Sequence, residues 1–330
     1  MPATLDIAIV GATGRVGETL VEVLEERNFP VGNLHVLASL ESAGKSLPFR
    51  GKNLRVREVD AFDFSQVGLV FFAAAPATTL AFAPRARQAG CAIIDLAGAL
   101  DAPAIVPEAN ASAFATREAI SPCSPVVALA VALAPLRALL APQRLTVTAC
   151  MAVSSAGREG VQELARQTAE LLNARPLEPQ HFDRQVAFNL LAQVGKPDAV
   201  GHLALERRID EQLREVLELP LLEVAATCIQ VPVFFGDSLT VSLVNEGDVD
   251  IGQINQLLAS APGLELVEEA GDYPTPVGDA VGQDVVYAGR LRPALRGERE
   301  VNLWLTLDNV RKGAALNAVQ IAELLIKDLA

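Results

Sequence analysis

The strongest constraint lies at the start of the chain. Residues 5–10, LDIAIV, form a short apolar run, GATGRVG follows, and ETLVEVLEERN comes next with Leu20, Val21, Val23 and Leu24 set among acids. The run reads as a buried strand and the spacing after it as an amphipathic helix. Gly11, Gly14 and Gly17 at the junction permit a tight turn and close approach of a pyrophosphate to the backbone. The first amides of the helix supply partial positive charge for that anion. The same glycines would serve a tight turn with no ligand, but their place between strand and helix favours the anion cradle.

The pattern then repeats. Apolar runs recur at LHVLAS (34–39), VGLVFFAAA (67–75) and CAIIDLAG (91–98), with a helix-like stretch at Thr79–Gln88. Strands alternating with helices predict an α/β fold with a doubly wound, Rossmann-like parallel sheet. The second half changes character. Helices are expected around 123–140 and 158–173, with RLTVTACMAV (144–153) between them. CIQVPVFF, SLTVSLVNE, DVVYAGRLR and VNLWLTLDN alternate apolar and polar positions, which fits a second α+β domain carrying a mostly antiparallel sheet with one covered face. Near the end, Ala315, Val319, Ile321, Ala322 and Leu325 give an apolar helical stripe.

Composition narrows the function classes. Forty acidic residues against 27 basic leave a net charge of −13. Such a surface repels phosphate backbones and anionic lipid, so neither nucleic acid nor membrane is an expected partner. Cys91, Cys123, Cys150 and Cys228 form no CxxC pair, so no metal site and no disulfide framework are expected. The longest apolar run, Pro122 to Leu136, is too short to span a bilayer, and the first residues lack a basic region before their apolar stretch. A cytoplasmic protein is the expectation.

In doubly wound folds an acid after the second strand binds the ribose 2′-hydroxyl, and a basic residue there accommodates a 2′-phosphate. Here the segment is ASLESAGK. Glu41 opposes a 2′-phosphate and favours NAD over NADP, with Arg15 and Lys45 as the residues able to reverse this.

GATGRVGE, LASLESAGK, IVPEAN, AVSSAG, FDRQVAFNLLAQVG, VPVFFGDS and, above all, DNVRKGAALNAVQIAELL at 308–325 give the chain its resemblance. It resembles the aspartate-semialdehyde dehydrogenase family, and within it the Usg-type homologues. The resemblance implies a dinucleotide-binding domain at 1–122 plus 312–330, and a substrate-type and dimerisation domain at 123–311 that forms a homodimer. It implies NAD or NADP as cofactor, meeting Gly11, Thr13, Gly14, Arg15, Val16, Gly17, Ser39, Glu41, Ser42 and Asn317. It also implies a reaction, NADP-dependent reductive dephosphorylation of β-aspartyl phosphate or its reverse, run by a cysteine nucleophile, a histidine base, a carboxylate-clamping arginine and a glutamine.

By that resemblance the cysteine position falls on Ser124, with Cys123 one residue earlier. The glutamine falls on Met151, the arginine on Gln230 and the histidine on Asp237. The phosphate-binding arginine falls on Asp101, the phosphate lysine on Arg208 and the substrate-binding glutamate on Leu205. Serine without a base is a poor nucleophile, methionine donates no hydrogen bond, and Gln230 carries no charge. His35, His181 and His202 do not occupy the base position. The expectation is a homologue that keeps a dinucleotide-binding fold, and with it a nucleotide or small-molecule ligand, but lacks the family's activity. The alternative is an active NAD(P)-dependent aldehyde or acyl oxidoreductase using Cys123, brought to a helix N-terminus by a one-residue slip.

Overall fold

The computed structural model describes residues 4–269 and 271–329. The chain divides into two compact units, Met1–Pro122 with Ala314–Ala330, and Cys123–Gly313.

The first unit opens with β1 (Leu5–Val10) and α1 (Arg15–Glu26), then β2 (Val31–Ala38) and a short hairpin of β3 (Ser46–Phe49) and β4 (Lys52–Arg55). β5 (Arg57–Glu58), β6 (Leu69–Phe72), α2 (Pro76–Gln88), β7 (Ala92–Asp95), α3 (Pro107–Asn110) and β8 (Glu118–Ile120) follow. Six strands pair in the order β5-β2-β1-β6-β7-β8, all parallel. The order reverses beside β1, the position at which open α/β sheets bind ligands.

Both faces of this sheet are covered, which is why its strands read as continuous apolar runs. Ile7, Ile9, Phe71 and Ile94 pack on one side with Leu20 and Leu24 of α1. Ala8, Val10, Val70 and Phe72 pack on the other with Ala83 and Ala86 of α2.

The second unit begins with α4 (Ser124–Leu133), every residue of which is buried. β9 (Pro142–Met151), α5 (Gly157–Leu172), α6 (Ala204–Val216), β10 (Glu223–Gln230), β11 (Asp237–Asn245), α7 (Ile251–Ala259), β12 (Leu264–Val267), β13 (Val286–Pro293) and β14 (Glu300–Leu307) follow. The sheet runs β10-β9-β11-β14-β13-β12. The three central pairings are antiparallel and the two outer ones parallel. α4 packs against α6 and against β11, β13 and β14, which explains a helix apolar on all sides.

The chain then returns to the first unit with α8 (Asn317–Leu329). Ala315, Val319, Ile321, Ala322 and Leu325 are all buried in the cluster that holds β1 and α1.

Three expectations need correction. The helix expected over 123–140 ends as an α-helix at Leu133, where Ala134–Leu136 tighten into a 3-10 turn containing Pro135. The strand read into CIQVPVFF stops at Gln230, because Pro232 has no amide to donate and Gly236 turns the chain with φ +90°. Cys150, which lies in a strand-like apolar run and from the sequence is expected in the core, is only half-buried. Among the described residues no helix is long and apolar enough to cross a membrane, and no group of acids, cysteines and histidines has metal-binding geometry.

Candidate functional site

In the first unit, backbone geometry shapes the glycine turn. Gly11 has φ +89°, and a Cβ there would lie 2.4 Å from the Ala73 carbonyl oxygen. A Cβ at Gly17 would lie 2.2 Å from the Gly11 oxygen, so neither position admits a side chain. Gly14 is exposed and caps α1. The amides of Gly11 and Ala12 both donate to the Leu37 carbonyl, at 2.9 and 3.0 Å. This ties the turn to the end of β2. Ser39, Glu41 and Ser42 come directly after that strand, with Ser39 and Glu41 exposed. Thr13, Arg15 and Val16 follow Gly11 through the turn into the first residues of α1, each half-buried.

Asn317 is fully buried. Its amide nitrogen donates to the Ile105 carbonyl at 3.0 Å and the Ser121 hydroxyl at 2.9 Å. Its oxygen is buried without a partner, and such an orphaned acceptor carries a desolvation cost until a donor reaches it. The bare glycine turn and this unpaired acceptor both fit a nicotinamide dinucleotide, one toward the pyrophosphate and the other toward a carboxamide N–H. Asp101 is exposed. It lies beyond the loop that Asp95 organises by accepting the amides of Ala97, Ala99 and Leu100.

In the second unit, Cys123, Ser124, Met151, Gln230, Asp237 and Arg208 come together around the N-terminus of α4. Cys123 is the N-cap residue itself, so the slip invoked for it is unnecessary. The Ser124 hydroxyl donates to Asp237 Oδ2. The Ala152 amide donates to Asp237 Oδ1 at 2.9 Å. The Gln230 side-chain amide donates to the Met151 carbonyl at 2.6 Å, which also accepts the Val231 amide at 3.0 Å. One peptide unit, Met151–Ala152, is therefore held at its oxygen by Gln230 and at its N–H by Asp237.

Asp237 is completely buried, and burial pushes its carboxyl up to about 7 against the two hydrogen bonds it accepts. Burial also pushes the Cys123 thiol up, opposed by the nearby Arg208 guanidinium. Arg208 buries Nε and one terminal nitrogen without hydrogen-bond partners. Leu205 offers no polar group, and the carboxylate of Glu206 beside it is occupied by the amides of Leu203 and Cys228. Gln230 also lines a cavity of 630 Å³ together with His181, Phe182, Leu191 and Lys196.

Sequence reasoning missed Asn309. Its oxygen accepts the Gly236 amide at 3.0 Å, and its nitrogen donates to the Ser154 hydroxyl at 3.0 Å. It thus tethers the turn before Asp237 to the turn after Met151. Its place in the DNVRKGAALNAVQ block is the available signal, but a sequence block does not show which turns a side chain joins.

A doubly wound unit with a glycine turn, joined to a second unit built around one helix N-terminus, defines a scaffold of the NAD-binding oxidoreductase class. Residues 6–117 match the family description "Semialdehyde dehydrogenase, NAD binding domain", and residues 133–312 match "Semialdehyde dehydrogenase, dimerisation domain". The chain belongs to the semialdehyde dehydrogenase family. It is 57% identical to a USG-1 protein homolog of Azotobacter vinelandii over 99% of both chains. A solved structure of a probable aspartate-semialdehyde dehydrogenase from Pseudomonas aeruginosa is 54% identical, with a TM-score of 0.97, over 99% of this chain and 100% of that one. Aspartate semialdehyde dehydrogenase II from Vibrio cholerae, solved in complex with ASA, is 40% identical with a TM-score of 0.96 over the same shares.

Proposed function

We propose that this chain is a cytoplasmic Usg-type homologue that keeps a nicotinamide-dinucleotide site and does not perform the family's dehydrogenase reaction. The observation that carries this reading is the doubly held Met151–Ala152 peptide. Gln230 and Asp237 stand where the family resemblance calls for a carboxylate-binding arginine and a proton-moving histidine. Here each bonds the main chain, and Asp237 also takes the Ser124 hydroxyl. Ser124, Asp237, Gln230 and the Met151–Ala152 peptide thus bond one another where the resemblance calls for groups aimed at a substrate.

A bound nicotinamide would supply hydride chemistry. This chain's residues offer it no acyl-thioester at position 124, because Ser124 has no sulfur, and its hydroxyl, not ionised near neutral pH, is a poor nucleophile for an oxygen ester in its place. By analogy with other covalent enzymes, loss of the nucleophile costs on the order of 10⁴–10⁶ in rate. Arg208, with buried unpaired nitrogens, is the group best suited to hold a small anionic ligand.

The second reading is an active oxidoreductase using Cys123. Its support is the N-cap position beside Arg208. Burial of the thiol, which disfavours the thiolate, keeps this reading second.

The test is oxidation of aspartate semialdehyde with phosphate and NAD or NADP. The protein should be purified from a host lacking its own dehydrogenase. A flat baseline is expected. Turnover that disappears in Cys123→Ala would establish the second reading, and turnover that survives it would sink both.

We also infer a homodimer. Thr227, Thr148, Thr240 and Trp304 sit side by side across β10, β9, β11 and β14. None of the four is buried. A neutral row of this kind across four strands suits burial against a second copy, in agreement with the dimerisation domain that the sequence matches.

A further inference from the structure

We infer that the nucleotide site of this chain selects NAD(H) and rejects NADP(H), with Glu41 as the specificity-determining residue. The inference rests on the retained dinucleotide site proposed above and deepens it.

The placement follows from backbone contacts. Gly11 and Ala12 hang from the Leu37 carbonyl, so the pyrophosphate turn adjoins the last residues of β2. The chain leaves β2 at Ala38 and forms a single 3-10 turn, Leu40–Ser42, closed by the Ser42 amide on the Ser39 carbonyl at 3.0 Å. Glu41 lies within that turn, three residues past the strand. In a doubly wound fold this is where the adenosine ribose of a dinucleotide rests, and the side chain found there reads its 2′ position.

The Glu41 side chain is exposed and engages no partner among the described residues. A free carboxylate there accepts hydrogen bonds from a ribose 2′-hydroxyl. Against a 2′-phosphate, with its two negative charges, it is repulsive. Neither of the two cations able to reverse the preference, Arg15 and Lys45, forms an ion pair with it among the described residues. Lys45 directs its ammonium to the Ser42 hydroxyl at 3.4 Å, one residue past Glu41 and on the turn's own closing residue. Leu40 beside it is 70% exposed, an apolar surface suited to an adenine face and not to a phosphate.

The test is fluorescence titration of the whole protein with NADH and NADPH, for the parent chain, Glu41→Gln and Glu41→Arg. The parent is expected to bind NADH about tenfold or more tightly than NADPH. Glu41→Gln should shrink that ratio, and Glu41→Arg should reverse it by strengthening NADPH. A parent that prefers NADPH overturns the inference and leaves the retained site standing. So does a ratio unchanged in both variants. Absence of binding by either nucleotide, in the parent and in both variants at millimolar concentration, overturns the inference together with the retained site beneath it.

Discussion

Asp237 carries its proton further up the pH scale than an exposed aspartate does, and that has a measurable consequence. Its folded-state value of about 7 lies above the ordinary value of 3.8. Between those pH values the folded protein binds the extra proton and the unfolded chain does not. The contribution is therefore fully present below about pH 4, and it is lost as pH rises through 7. The shift corresponds to roughly 4 kcal/mol if undiminished by relaxation. Asp237→Asn keeps an acceptor for Ala152 and adds a donor toward Ser124. Urea unfolding at pH 4.5 and pH 8 should show a smaller loss of stability for Asp237→Asn than for the parent. Equal losses would show that Asp237 ionises freely. At Gly11 the limit is steric. Gly11→Ala would place a methyl 2.4 Å from a backbone oxygen at φ +89°. It should cost about 2 kcal/mol or more in urea unfolding.

At the level of elements, the connections of the second unit show what a pattern can and cannot tell. Asn309 joins two turns from different strands, and Asn309→Ala leaves the Gly236 amide buried without its acceptor. We expect a loss of about 1–3 kcal/mol by chemical denaturation, with Asn309→Asp, which keeps that acceptor, losing less. The parallel sheet of the first unit was legible because its strands are apolar along their whole length and its helices are striped. The β3–β4 hairpin was not, since Ser46–Phe49 and Lys52–Arg55 carry Pro48, Asn53 and two basic residues in four-residue strands. VPVFF looked like a strand because it is apolar, yet Val231–Phe235 runs irregularly beside Met151–Ser154 and bonds it at Met151, Val153 and Ser154. The residue types of the site were readable one by one. That Gln230 and Asp237 grip opposite ends of a single peptide was not, because residues 79 and 85 positions away meet it only once the sheet has formed.

For the whole molecule, the proposed homodimer is the accessible prediction. Analytical ultracentrifugation should give twice the 34.9 kDa chain mass. Thr240→Arg, at the centre of the row formed by Thr227, Thr148 and Trp304, should shift the species toward one chain while circular dichroism stays unchanged. A parent protein that sediments as a single chain at micromolar concentration would remove the dimer.

The return of α8 to the first unit bears on how the protein is made. Val319, Ile321 and Ala322 belong to the same buried cluster as Ile7 and Leu20, so β1 and α1 stay unfinished until α8 has left the ribosome. Residues from the two ends of the order of synthesis complete one core. A nascent chain stalled anywhere before residue 314 would carry an open apolar surface, the kind of exposure that chaperones engage and that proteases exploit.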